Sequence, residues 1–198
     1  QRITKLPIEN YELMQRHKGS AFGESLSGMI NQENIVLASQ AVELIRRYPH
    51  SFSSPEYFSV AQALSQSNIR NSVPFLFENA IQRAQNANDY NVSTRAYAAY
   101  HFTQNNISEG RRLYEQSLDV WSRFPEQNPY IIYSFDLVTL MYWSNSELIA
   151  GNNPEAIALI GRAKNCLEEL SPGPVTESLT RQIADVESRI EQALRPIR

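Results

Sequence analysis

Residues 149–170, IAGNNPEAIALIGRAKNCLEEL, carry the pattern that sets the fold. The apolar end of one helix runs into Gly151, a turn passes over Asn152 and Asn153, and a second helix opens with Pro154 and Glu155. Proline suits the first helical turn because the N–H it lacks would have no intrahelical acceptor there. Beyond it, Ala156, Ile160, Ala163 and Leu167 recur at helical spacing and share one stripe. The small members admit a neighbouring helix at close range, and the bulky members fill the space beside them. The stretch therefore predicts one helix folding back against another.

The same alternation of helix and turn extends in both directions. Upstream, Pro129 or Tyr130 starts a long apolar helix through Phe135, Leu137, Leu140, Met141, Trp143 and Leu148. Before that, Ser93 opens a helix carrying Tyr97, Ala98, Tyr100, His101 and Phe102, with a turn at Asn105-Asn106. Ser108-Glu109 then begins its partner through Gly110, Leu113, Tyr114, Ser117, Leu118 and Trp121, ending at Phe124-Pro125. Ser53-Ser54-Pro55-Glu56 and Ser72-Val73-Pro74 join hydroxyl caps to helix-starting prolines. They predict helices through Tyr57, Val60 and Leu64 to about Asn68, and through Phe77, Ala80 and Ala84. A further helix is expected from Gln32 or Glu33 to Tyr48, closed by Pro49. Gly19, Gly23 and Gly28 weaken helix formation before it, at roughly 1 kcal/mol each against alanine. Downstream, Ser171-Pro172-Gly173-Pro174 is a break. The final helix, from about Val175 to Leu194, places Val175, Leu179, Ile183, Val186, Ile190 and Leu194 on a narrow stripe with charges elsewhere.

The small residues in the second helix of each pair are Ala41, Ala80, Ser117 and Ala163, separated by 39, 37 and 46 residues. Their first-helix counterparts are Ala61, Ala98 and Ser144, preceded by Val60, Tyr97 and Trp143. The segments Ala41 to Pro49 and Ser117 to Pro125 also match in character position by position. Taken with the turn at Gly151, these positions make the chain resemble a tetratricopeptide-repeat protein, although the repeats are longer than the usual unit of roughly 34 residues. The resemblance implies an all-α fold, an α-α superhelix of antiparallel helix pairs with three to four repeats and a C-terminal capping helix. It divides the chain into a lead-in with a short helix over 1–18, a degenerate first repeat over 19–49, repeats over 50–170 and the capping helix and tail over 171–198. The turn glycine of the family occurs only at Gly151, and its proline comes late, at Pro49 and Pro125.

Composition bounds the function. A chain of 198 residues can bury a substantial core, and 42% hydrophobic with 20% charged residues is ordinary for a globular protein. A formal charge of −3 disfavours a nucleic-acid surface. The lone Cys166 excludes an intramolecular disulfide and leaves the compartment open, and no apolar run is long enough for membrane insertion. Asn91-Val-Ser93 and Asn106-Ile-Ser108 are formal glycosylation triplets of the kind that arise by chance in an Asn- and Ser-rich chain.

No catalytic constellation emerges, so no enzyme, cofactor or metal site is expected. His17, His50 and His101 lie far apart, and His101 is expected to pack between helices. Glu168-Glu169 point in different directions on a helix, and Arg46-Arg47 and Arg111-Arg112 read as exposed helix surface. What remains is a surface. First helices line the concave side of a repeat stack, so the resemblance implies a partner-binding groove at Phe58, Gln62, Ser65, Arg95, Ala99, Phe102, Met141, Asn145 and Leu148. This mixture suits a protein or peptide partner. Only Arg95 and Asn145 fit the family's carboxylate-binding subset, which argues against capture of a chaperone-type acidic C-terminus. The expectation is a scaffold for protein–protein interaction. Alternatively, because the chain starts at Gln1 rather than Met, it is a regulatory piece of a larger bacterial membrane-bound glycan polymerase or transcription activator. Self-association would run through the last helix, from Thr176 to Leu194.

Overall fold

The structure, a computed structural model, describes residues 42–65 and 70–195. The expected lead-in, most of the degenerate first repeat and Ala41 lie outside them. The chain divides into two compact units, with the boundary after Ser93.

In the first unit, residues 42–47 are helical and a 3-10 turn follows over Pro49–Ser51, ahead of α1 (Ser54–Ser65) and α2 (Val73–Arg83). The backbone N–H and hydroxyl of Ser53 both donate to the Glu56 carboxylate at 2.6 Å. That closes the start of α1 in the manner of a capping box. The hydroxyl of Ser54, at the start of α1, donates to the carbonyl of Ala80, late in α2, at 2.7 Å. The two helices therefore run antiparallel, with Tyr57, Val60, Ala61 and Leu64 buried on one side and Leu76, Phe77 and Ala80 on the other.

The boundary between the units falls inside α3 (Ala87–Thr103). The second unit continues with α4 (Ile107–Leu118), the single turn α5 (Val120–Arg123), α6 (Pro129–Ile149), α7 (Asn153–Glu168) and α8 (Pro174–Leu194). No strand forms among the described residues. Helix α6 is the hub, packing against α4, α7 and α8, while α7 also packs against α8. Its start is capped by Asn128, whose side chain accepts from the Tyr130 N–H at 3.0 Å.

Each second helix buries one tetrad at the spacing i, i+3, i+4, i+7. In α2 it is Val73, Leu76, Phe77 and Ala80; in α4, Gly110, Leu113, Tyr114 and Ser117; in α7, Ala156, Leu159, Ile160 and Ala163. Leucine at the second place recurs all three times. The first-helix small residues Ala61, Ala98 and Ser144 are likewise fully buried. Burial at these places follows from helix approach, because a larger side chain at a point of closest contact would force the backbones apart.

Two turns share one geometry. Asn105 and Gly151 both hold a left-handed backbone, with φ of 58° and 81°. Asn106 N–H donates to the His101 carbonyl at 2.9 Å and Asn105 N–H to Phe102 at 3.0 Å; Asn152 N–H donates to Glu147 at 2.8 Å and Gly151 N–H to Leu148 at 3.0 Å. Both are Schellman closures. Asparagine, the residue after glycine in tolerance for this conformation, fills at Asn105 the place that Gly151 fills later.

Some boundaries differ from expectation. Helix α3 begins at Ala87, six residues before Ser93, because Asn86 accepts from the Asp89 N–H at 2.9 Å and its amide donates to the Asp89 carboxylate at 3.0 Å. Ser93 is buried within the helix. Helix α4 stops at Leu118 rather than Phe124, and the hydroxyl of Ser122 bonds the carbonyl and the carboxylate of Asp119, each at 2.8 Å. In α8 the buried stripe is Leu179, Ile183, Val186 and Ile190, while Val175 and Leu194 at its ends are exposed. Leu167 is half-buried at the edge of its stripe.

Candidate functional site

The most charged feature inside the second unit is Glu147, fully buried on α6. Arg111 donates Nε to Oε1 at 2.6 Å and Nη2 to Oε2 at 2.9 Å. Trp143 Nε1 donates to Oε1 at 2.9 Å and Asn152 Nδ2 to Oε2 at 2.8 Å. Burial pushes the carboxyl upward, but the bonds from Arg111, Trp143 and Asn152 together outweigh it and hold the pKa below the ordinary carboxylate value. A carboxylate has about four lone-pair sites, and all are taken here. Glu147 is a staple between α4, α6 and the α6–α7 turn, with no acceptor left for a substrate. Arg111, expected as plain helix surface, supplies half of it, whereas its neighbour Arg112 pairs on the exposed side with Glu109 at 2.6 Å.

A cleft of about 570 Å³ opens between α6 and α8. Its α6 wall is Met141, Tyr142 and Asn145, and its α8 wall includes Arg181, Gln182 and Asp185. The helical period explains the second wall: 178, 181, 182, 185 and 189 share the face beside the stripe that anchors α8. Met141 and Val186 are buried and form an apolar floor. Tyr142, on the α6 wall, is 51% exposed. The guanidinium of Arg95 sits over the Tyr142 ring, 4.6 Å from its centroid. Burial lowers the pKa of Arg95 against the opposing effect of the Tyr142 and Tyr114 hydroxyls. No carboxylate among the described residues pairs with it. The side-chain carbonyl of Asn145 is buried without a hydrogen-bond partner.

The expected groove positions fare differently. Met141 and Asn145 line the cleft, and Arg95 supports its aromatic wall. Ala99 and Leu148 are half-buried and do not line it. Phe102 is buried, its ring 6.0 Å from that of Tyr114 and packed over Gly110. Phe58, Gln62 and Ser65 lie on α1 of the first unit, where Phe58 is half-buried with its ring 6.4 Å from Phe77 and Gln62 is exposed. Ser178, Arg181, Gln182 and Arg189 were not anticipated. On sequence alone they are the solvated outer face of a last helix, and only the packing of α8 on α6 turns them inward to a cleft.

Other candidates resolve into packing. His101 packs against Tyr97, with ring centroids 4.6 Å apart and the planes tilted by 50°, and its Nδ1 meets the Asn106 amide at 3.3 Å. Cys166 is half-buried, and burial, then the nearby Asp136 charge, pushes its thiol up. Asn91 of the first glycosylation triplet is buried. Among the described residues no group of His, Cys, Asp and Glu is placed to hold a metal, and no helix is long and apolar enough to cross a membrane. In comparisons with known proteins, the chain matches no family model, no curated protein and no solved structure.

Proposed function

We propose that this chain is a non-catalytic helical-repeat scaffold, similar in plan to tetratricopeptide-repeat superhelices, that holds a protein or peptide partner. The single observation that carries the reading is the α6–α8 cleft, where an apolar floor, a half-exposed tyrosine and the polar side chains of Asn145, Arg181 and Gln182 converge. Such sites hold ligands by apolar contact and fix their orientation with a few polar groups. The thrice-repeated tetrad supports the repeat plan, and Glu147, the one fully buried carboxylate among the described residues, has its oxygens taken up by hydrogen bonds.

The test is a peptide array probed with the full chain and with the variants Tyr142→Ala and Asn145→Ala, after thermal melts show that both variants fold. Peptides that bind the parent should lose at least about tenfold in affinity to each variant. Binding that survives both substitutions moves the function elsewhere on the molecule.

A further inference from the structure

We infer that the α6–α8 cleft selects a short acidic segment of a partner protein, with Arg181 meeting its carboxylates. This rests on the cleft being the binding site.

The α8 wall runs from Ser178 to Arg189, a length of about 16 Å at the helical rise, which an extended chain covers with about five residues.

Charge decides the composition. Asp185 is already joined to Arg189 at 3.1 Å, so that pair is neutral. Arg181 donates only to the Glu177 carbonyl at 3.3 Å and has no ion pair among the described residues. Arg95, behind Tyr142, adds a second cation without a carboxylate among them. The cleft is thus locally positive on a chain whose formal charge is −3. That combination favours a short acidic segment reaching individual guanidinium groups over a long polyanion, which the whole chain repels. Met141 and Val186 seat one apolar side chain between the charges.

The experiment measures fluorescence anisotropy of the full chain with two labelled hexapeptides, one of Asp and Glu around a central Leu and the other its Asn and Gln isostere. The acidic peptide should bind at least about tenfold tighter. The advantage should shrink between about 50 and 300 mM salt and vanish in Arg181→Glu, an exposed position whose substitution leaves the core intact. If both peptides bind equally and Arg181→Glu changes neither, acidic selection is wrong while the cleft remains a peptide site. If neither binds and the Asn145 and Gln182 side-chain amide resonances stay unmoved, the selection and the cleft reading both fall. Equal, Arg181-dependent binding of a thymidine hexanucleotide would also overturn the assignment, by making the cleft a general polyanion site.

Discussion

Asn152 is tied to Glu147 twice, its backbone N–H bonding the Glu147 carbonyl and its side-chain amide the Glu147 carboxylate, both at 2.8 Å. Asn106 repeats this with His101, backbone to carbonyl at 2.9 Å and amide to ring nitrogen at 3.3 Å. In each hairpin, one asparagine closes the first helix and fixes a side chain on it. The residue before the asparagine must then turn left-handed, and this isolates a backbone contribution. An added Cβ on Gly151 would meet nothing within 4 Å, so Gly151→Ala should cost about 1 to 2 kcal/mol from φ alone. Urea titration measures it, and a neutral result would show that the turn relaxes to another closure. Asn105→Gly, in the same geometry, should be neutral or slightly stabilising.

The Glu147 staple gives the protein an acid-sensitive component. Its folded pKa lies below the value of about 4.3 for a free glutamate. The group therefore contributes stability that is complete above the unfolded pKa and is lost as pH falls through the lower folded one. In Glu147→Gln the melting temperature should be lower than the parent's at neutral pH, with the gap narrowing below about pH 4. A gap that stays constant from neutral to acid pH would mean that the charge adds nothing. Arg111→Ala removes two of the four donors from a fully buried carboxylate, at a cost of about 2 to 3 kcal/mol.

The helix pairs were legible because their signals are local. Proline after a hydroxyl residue starts α1 and α2, Gly151 ends α6, and small residues recur at the contact points Ala61, Ala80, Ala98, Ser117, Ser144 and Ala163. Helix α3 was read short because its cap, Asn86 with Asp89, sits in a stretch without apolar periodicity. Phe102 packs over a glycine on another helix, whose missing side chain makes the room. The α6–α8 cleft is a product of packing. Met141 and Asn145 follow from their register on α6, but Arg181 and Gln182 acquire meaning only from which side of α8 meets α6.

Cys166 should behave as a sluggish thiol. Burial first, then Asp136, raises its pKa above the ordinary cysteine value, so the thiolate fraction at mildly alkaline pH is smaller than in a free cysteine. Iodoacetamide should modify it several-fold more slowly in the folded protein than in urea, with the rate rising at higher pH in the folded protein than in urea. A folded-state rate equal to the unfolded one would show the thiol to be open to solvent and unperturbed.

Gly110 lies where α4 comes closest to α3, and here the cost of a side chain is steric. A Cβ would stand 2.5 Å from Cδ2 and 2.7 Å from Cε2 of Phe102, and 3.1 Å from the carbonyl oxygen of Ala98. Alanine would gain about 1 kcal/mol in helix propensity, but overpacking a filled core costs about 1 to 3 kcal/mol. The Phe102 ring is buried, 6.0 Å from that of Tyr114, and the Ala98 carbonyl belongs to the helix backbone, so neither neighbour is the free end of a flexible chain. The clash should win, leaving Gly110→Ala less stable by about 1 kcal/mol. The cause is separable by a double-mutant cycle with Phe102→Leu, which removes the ring atoms in conflict. Adding Gly110→Ala to the Phe102→Leu background should cost less than adding it to the parent. Equal costs in the two backgrounds would place the strain in the approach of the helix backbones instead of in the ring.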